Sequence, residues 1–158
     1  MDSHPVSDWV TIRPAGPGDA PRLAVLCEQR WYPTTPDEAG RRLQQLYQDD
    51  RHAVYVAELA GEAAEVPVRG AAGWVHVYLS PSLLGELHAE IGGLIVDESC
   101  RGRQIGERLL RQAEQWAREH GCQAISVRSN TLRLDAHRFY QRLGYQVIKT
   151  QLALRRPL

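Results

Sequence analysis

The feature that most constrains the fold is a change of hydrophobic period around the stretch DESCRGRQIGERLL, which runs from Asp97 to Leu110. Before this stretch, residues 87–96 form the apolar run of a β-strand, bounded upstream by turn residues. After it, apolar side chains recur at intervals of three and four residues, as they do on one face of an α-helix. The sequence therefore predicts a strand that turns directly into an amphipathic helix.

The helix is predicted to begin at or near Gln104 and to stop at Gly121, with Glu114 among the charged residues that face water. Its first backbone N–H groups have no intrahelical acceptor and lie at the positive end of the helix dipole, so they are suited to an anion. The turn is neither GxGxxG nor GxxxxGK[ST], which disfavours a dinucleotide or a nucleoside triphosphate. Phosphate binding and an ordinary turn with solvated arginines both remain open at this point. The apolar face consists of Ile105, Leu109, Leu110, Ala113, Trp116 and Ala117.

The rest of the chain predicts an α+β fold. A strand near 9–13 precedes a helix over 20–30, capped by Asp19, and a second helix from Asp37. Three strands at 53–59, 71–79 and 87–96, joined by turns at 61–67 and 81–85, predict an antiparallel meander. After the amphipathic helix, a strand at 123–128, a helix at 132–143 and a terminal strand at 145–154 complete the pattern. The strand, helix and strand unit implies a parallel pair with a right-handed crossover.

Length and charge exclude several classes of function. A chain of 158 residues is the size of one domain, and its 19 acidic residues balance 19 basic ones, so we expect no nucleic-acid partner. No apolar run reaches the length of about 20 residues that a membrane helix needs. The N-terminus lacks a signal-peptide pattern, and three cysteines without metal-ligand spacing predict reduced thiols. We therefore expect a cytoplasmic protein that binds neither membrane nor metal.

Three stretches together carry a resemblance to a known family: AEIGGLIVDESCRGRQIGERLLRQAEQWA, VRSN and DAHRFYQRLGY. They resemble the acetyl-CoA-binding half of the GNAT superfamily of N-acetyltransferases. The resemblance implies a single domain over residues 1–158 that uses acetyl-CoA as co-substrate. It also implies a mixed, mostly antiparallel sheet of six to seven strands flanked by four helices. A splayed parallel strand pair would then open the cofactor cleft.

The same resemblance assigns the cofactor site. The family signature Arg/Gln-x-x-Gly-x-Gly/Ala binds the coenzyme A pyrophosphate through backbone amides, and Arg101 and Gly106 match its first and last positions. Gln104 stands where the signature usually has glycine, and as an early helical residue it is expected to donate its N–H without a positive φ. Asn130 would bind the pantetheine arm or cap the next helix. The predicted cofactor-binding residues are Leu94, Ile95, Val96, Arg101, Gly102, Arg103, Gln104, Ile105, Gly106 and Asn130.

Catalysis requires one proton to leave the amine and another to reach the leaving thiolate. By resemblance, Glu90 is the general base, with His88 as its substitute, and Tyr140 is the general acid. Glu90 could instead be a solvent-facing strand residue, and Tyr140 an aromatic packing residue. The predicted acceptor-binding residues are Trp31, Tyr32, His76 and His88. A metal site at Glu86, His88 and Glu90 and a reactive thiol at Cys100 are both disfavoured.

The stretch from Ser126 to Tyr145 is similar to family members that acetylate small amines, including aminoalkylphosphonate and aminoglycoside acetyltransferases. The predicted function is acetyl transfer from acetyl-CoA to a primary amine of a small molecule by direct attack in a ternary complex. Two alternatives stay open: a non-catalytic acyl-CoA-binding sensor, and a transferase that acts on a protein or peptide amine. An acyl group larger than acetyl and a homodimer also stay open.

Overall fold

Five strands form one sheet in chain order in the computed structural model, which describes residues 9–61 and 68–158. The first four strands are antiparallel neighbours, and the last pair is parallel. The α+β class and the mixed, mostly antiparallel sheet are therefore confirmed. The predicted number of six to seven strands is wrong, since the described residues form five. These strands are β1 (Val10–Pro14), β2 (His52–Leu59), β3 (Ala71–Ser82), β4 (Gly85–Val96) and β5 (Ile125–Val127).

The described residues also contain the four predicted α-helices: α1 (Ala20–Glu28), α2 (Pro36–Tyr47), α3 (Ile105–Glu119) and α4 (Leu134–Arg142). A capping box starts α2, because Thr35 Oγ1 accepts the Glu38 N–H and the Glu38 carboxylate accepts the Thr35 N–H. Asp19 precedes α1 as predicted but does not bond to its N–H groups. Its carboxylate instead accepts hydrogen bonds from the Gly16 N–H and from Arg13.

The chain divides into two compact units, Met1–Val127 and Arg128–Leu158. In the first unit, α1 and α2 cover one face of the sheet, where Leu23, Leu43 and Val56 belong to one buried cluster and Trp74 packs against it. The other face packs on α3, since a Cβ at Gly73 would lie 3.1 Å from Cδ1 of Leu109. Neighbouring residues of β3 thus serve opposite faces, as the pleat requires.

The predicted exposure of one charged residue of α3, Glu114, is wrong. Glu114 is buried at 7% exposure, whereas the helical pattern assigned it to the water-facing side. Arg111 compensates its charge with a 2.7 Å contact between Nη1 and Oε1. The long Arg111 side chain comes from the preceding turn of the helix, which makes the buried carboxylate tolerable.

The predicted turns of the meander have different outcomes. The turn at 61–67 lies, apart from Gly61, outside the described residues. The turn at 81–85 is shorter than predicted, because Ser82 pairs with Gly85 and leaves only Leu83 and Leu84 between the strands. Both leucines are fully exposed. No helix among the described residues combines the length and the apolar character needed to cross a membrane.

The second unit contains α4 and an extended C-terminal segment. The predicted strand at 145–154 is wrong, because no residue of that stretch is assigned to a strand. Its apolar residues are exposed, with Val147 at 72% and Ile148 at 79%. An alternating apolar pattern becomes a strand only where its backbone groups pair with a neighbouring strand, and the pattern does not specify that partner.

Candidate active site

Two adjacent glycines of β4 lie against two rings of β3. Gly93 pairs with His76 while Ile91 pairs with Val77, so Gly92 is the extra residue of a β-bulge. A Cβ at Gly92 would lie 2.5 Å from Nδ1 of His76, and one at Gly93 would lie 2.6 Å from Cη2 of Trp74. The strand therefore contains a β-bulge here, and packing requires glycine at both positions.

Beyond the bulge, β4 continues without its parallel neighbour. The ladder between β4 and β5 joins three residue pairs and ends at Ile91 and Val127. Leu94, Ile95 and Val96 still pair with β3 on the other side. The predicted cofactor-binding residues Leu94, Ile95 and Val96 thus lie on the part of β4 that extends beyond its described pairing with β5. This is the geometry expected of a splayed strand pair.

Asp97 organises the loop that follows β4. Its Oδ2 accepts hydrogen bonds from Nη2 of Arg22 (2.7 Å) and Nε2 of Gln29 (3.2 Å), and its Oδ1 accepts the N–H and the hydroxyl of Ser99. Burial by itself would raise the pKa of this carboxyl. The hydrogen bonds from Ser99, Arg22 and Gln29 outweigh burial and lower the pKa from 3.8 to about 2. The carboxylate is therefore ionised at neutral pH, and each of its oxygens accepts two hydrogen bonds.

Gln104 differs from the sequence prediction in its backbone. Its φ is +59°, in the left-handed region, whereas a helical φ was expected. Gly102 also has a positive φ, of +78°. Two residues of the loop thus have a left-handed backbone before α3. Glycine, which the family signature usually has at the position of Gln104, adopts this conformation most readily.

The N-terminus of α3 is open to an anion. The first hydrogen bond of the helical ladder joins the Arg108 N–H to the Gln104 carbonyl at 3.1 Å. The N–H groups of Ile105, Gly106 and Glu107 thus precede the internal ladder of the helix. Residues 101–104 are exposed, with Arg101 and Arg103 among them. These backbone donors, the helix dipole and two guanidinium groups can together bind a diphosphate.

Glu90 is a buried carboxylate with polar neighbours, at 7% exposure. Its Oε2 accepts the hydroxyl of Tyr78 at 3.0 Å, and its Oε1 lies 3.3 Å from Nε2 of His88. Glu90 and His88 lie two residues apart, so they share a face of β4, because side chains alternate along a strand. Tyr78 lies directly opposite Glu90 on β3. The solvent-facing reading of Glu90 is wrong, because Tyr78 and His88 cover it.

Three rings stack beside this carboxylate. His52 lies 5.2 Å from His76 and 5.4 Å from Tyr78, measured between ring centroids. Nδ1 of His52 and Nε2 of His76 are 2.9 Å apart, so one nitrogen donates and the other accepts. Burial, assisted by the nearby His52, lowers the pKa of His76 to about 4. The lowered pKa keeps the His76 imidazole neutral at neutral pH, and its ring packs against those of His52 and Tyr78.

Trp31 and Tyr32 end α1 with a strained turn. The Tyr32 N–H bonds to the Cys27 carbonyl and the Trp31 N–H to the Glu28 carbonyl, the two bonds of a Schellman motif. Trp31 occupies the left-handed position of that motif with a φ of +64°, where glycine is usual. Its side chain is 91% exposed and that of Tyr32 is 67% exposed. Packing within the folded chain thus does not compensate for the strain.

The remaining two predicted residues belong to the second unit. Oδ1 of Asn130 accepts the Leu132 N–H at 2.9 Å, and the Asn130 carbonyl lies 2.8 Å from Nε2 of His137. Asn130 therefore shapes the turn before α4, whose N-cap residue is Arg133. Tyr140 is half-buried on α4, and its ring lies 5.1 Å from Phe139 and 5.5 Å from Tyr145.

The described residues contain no group of three histidine, cysteine, aspartate or glutamate side chains that could hold a metal ion. Cys100 is buried, and burial raises the pKa of its thiol, which keeps it protonated.

Sequence reasoning missed Arg22, Gln29 and Tyr78. The alternation of β3 could have placed Tyr78 on the face of His76, but the pairing of Tyr78 with Glu90 depends on strand register. No local signal connects Arg22 or Gln29 to Asp97, because these contacts span 75 and 68 residues of the chain.

The comparisons with known proteins agree with this geometry. Residues 21–145 match a family model described as the acetyltransferase (GNAT) family. Over 57 residues the chain is 46% identical to the aminoalkylphosphonate N-acetyltransferase of Salmonella typhimurium, which is 36% of this chain and 37% of that protein. The matched stretches span less than half the length of the curated relatives.

Solved structures match over nearly the whole chain. One, described as a transcriptional regulator from Bacillus halodurans C-125, has a TM-score of 0.79 and 26% identity, over 92% of this chain and 99% of that chain. Another, the aminoglycoside N-acetyltransferase AAC(6′)-Iy in complex with CoA, has a TM-score of 0.79 and 17% identity, over 100% and 98%. At that identity the second match shows the fold alone.

Replacing Gln104 with glycine should stabilise the protein. Relief of the left-handed backbone is worth about 1–2 kcal/mol and the extra entropy of glycine costs about 0.5–1 kcal/mol, so we expect a net gain of up to about 1.5 kcal/mol. Urea unfolding measures the difference. Gln115→Gly, the same change inside α3, is the matched control and should cost about 0.5–1 kcal/mol. Equal losses in both variants would contradict the left-handed assignment.

Proposed function

The chain belongs to the GNAT family of acetyltransferases, and we propose that it transfers an acetyl group from acetyl-CoA to the primary amine of a small molecule. The observation that carries the proposal is the loop before α3, where the first N–H groups of the helix precede its internal hydrogen-bond ladder and the adjoining residues 101–104 are exposed. That loop holds the pyrophosphate in the proposal, through the backbone of residues 102–106 and the side chains of Arg101 and Arg103. The backbone of Leu94, Ile95 and Val96, together with Asn130, binds the pantetheine arm.

Glu90 is the proposed general base. When bound, acetyl-CoA supplies an activated thioester that a neutral amine can attack directly. The amine arrives mostly protonated, and the Glu90 carboxylate removes its proton, directly or through water. Tyr78 and His88 hold the two oxygens of this carboxylate, which supports a positioned base. His88, which is more exposed than Glu90, can pass the proton on to solvent.

Tyr140 is the proposed general acid. The departing sulfur of coenzyme A gains negative charge as its bond to the acetyl carbon breaks, and a phenol hydroxyl can donate a proton to it. The placement of Tyr140 on α4, within the DAHRFYQRLGY motif, supports this role. Direct attack needs no covalent acyl-enzyme, in agreement with the raised pKa of the Cys100 thiol.

The acceptor side of the proposal rests on Trp31 and Tyr32. An exposed aromatic residue in a strained backbone conformation is more readily explained by ligand binding than by folding. The named activity of the Salmonella relative supports a small amine as the acceptor rather than a protein. The three free cysteines fit a reducing compartment such as the cytoplasm.

The experiment that tests the function is a turnover screen with acetyl-CoA over panels of small amines, including aminoalkylphosphonates and aminoglycosides, with thiol release as the readout. We expect release above the hydrolysis background for at least one small amine. Panels that are negative throughout, together with calorimetric binding of coenzyme A, would reject the enzyme in favour of a sensor. Turnover with peptides alone would reject the small-molecule acceptor.

Glu90→Gln should lower kcat by about 10²- to 10⁴-fold at neutral pH, because the amide keeps the shape of the carboxylate but cannot take a proton. Part of the rate should return as the pH approaches the pKa of the amine, since the amine then arrives neutral. Glu86→Gln is the matched control, an exposed acid on the same strand. If the two variants turn over equally and His88→Gln does not, His88 is the base.

Tyr140→Phe should lower kcat by about 10²-fold or more while the dissociation constant of coenzyme A changes less than about twofold, because only a proton donor is removed. Tyr145→Phe, which removes a hydroxyl from the adjacent ring, is the control. Steady-state kinetics and calorimetry separate the two quantities. An unchanged kcat in Tyr140→Phe would remove the assigned acid.

A further inference from the structure

The side chain of Gln29, the C-cap residue of α1, joins the aromatic turn at the end of this helix to the loop that precedes α3. Gln29 donates from Nε2 to Oδ2 of Asp97 at 3.2 Å and accepts the Glu98 N–H on its Oε1 at 3.1 Å. Both polar atoms of the amide are therefore used on two consecutive residues of the loop. This bidentate contact fixes the side chain in one orientation.

The loop end of this contact is rigid. Arg22 binds the same Asp97 oxygen at 2.7 Å and bonds through Nε to the Ala71 carbonyl at 3.0 Å. The Asp97 N–H bonds to the Ala72 carbonyl at 2.8 Å. Asp97 is 4% exposed, and its lowered pKa reflects the same set of donors. Movement of the loop at this point must therefore move α1 with it.

The helix end of the contact lies within the strained turn. Gln29 is two residues before Trp31, and the Schellman bonds that hold Trp31 and Tyr32 run to the carbonyls of Cys27 and Glu28. Gln29 therefore lies between the residues that accept these bonds and the residues that donate them. A small rotation of its backbone changes the turn directly.

We propose that Gln29 is a positioning residue that, through Asp97 and Glu98, couples the conformation of the Trp31–Tyr32 turn to occupancy of the 101–106 loop. The proposal rests on the proposed function, which assigns the turn to the acceptor and the loop to coenzyme A. Occupancy of the loop then organises the acceptor side before the amine binds. Coupling of this kind is reciprocal: the factor by which coenzyme A raises the affinity for the acceptor is also the factor by which the acceptor raises the affinity for coenzyme A.

The test follows Trp31 by ¹⁹F NMR in protein labelled with 5-fluorotryptophan. The chain has four tryptophans, and Trp31→Phe identifies the Trp31 signal. Titration of the wild type with coenzyme A should shift that signal. Gln29→Leu, which removes both hydrogen bonds with an uncharged side chain, should abolish the shift. It should weaken coenzyme A binding by only about two- to thirtyfold, because in the proposal Gln29 acts on the cofactor site only through Asp97 and Glu98.

Two further variants control the result. Gln115→Leu removes a glutamine that bonds to Glu119 on the exposed side of α3, and it should leave the Trp31 response intact. Asp97→Asn changes the contact between Gln29 and Asp97 from the loop side, and it should also reduce the shift of the Trp31 signal. A signature at Trp31 distinguishes coupling from general destabilisation, because the signals of Trp74 and Trp116 report on the folded core of the same samples.

The outcomes separate the two proposals. Absence of coenzyme A binding to the wild type would overturn the proposed function and the coupling with it. Binding that leaves the Trp31 signal unmoved would overturn the coupling alone. A Trp31 shift that persists in Gln29→Leu at saturating coenzyme A would likewise overturn it, since the signal would then reach Trp31 by another route.

Discussion

The structure around the candidate site depends on the buried carboxylate of Asp97. A charge at 4% exposure is tolerable only if hydrogen-bond donors surround it. Here the donors come from two parts of the chain: Arg22 and Gln29 at α1, and Ser99 of the loop itself. This requirement holds the end of β4 against α1. It also sets where the loop begins, and hence how the N-terminus of α3 is presented to solvent.

Two residues show where the backbone conformation is strained. Among the described residues other than glycine, Trp31 and Gln104 alone have a positive φ. Each lies at the end of a helix, one at the C-terminus of α1 and the other at the N-terminus of α3. Strain of this kind persists where the surrounding structure enforces it, and it is common at binding sites. The contact between Gln29 and Asp97 joins the two elements that contain these residues.

Much of the fold could be predicted because its signals are local. The periodicity of α3 and the strand patterns of β2 to β4 all lie within short windows of sequence. The prediction of a terminal strand at 145–154 is wrong. The apolar residues alternate there as in a strand, but a strand also needs a neighbouring strand to pair with. The buried Glu114 failed for a related reason, since its burial depends on what packs against α3 and not on the spacing within the helix.

The candidate site divides in the same way. The sequence by itself determined the order of elements, the strand-to-helix switch, the face shared by Glu90 and His88 and the resemblance that identified the family, since all of these depend on residues close together in the chain. Only the tertiary structure decided that Gln104 adopts a left-handed conformation, that Tyr78 and His88 cover Glu90, and that Arg22 and Gln29 meet at Asp97. These facts depend on strand register and on contacts between distant residues, and the packing of the whole unit sets both.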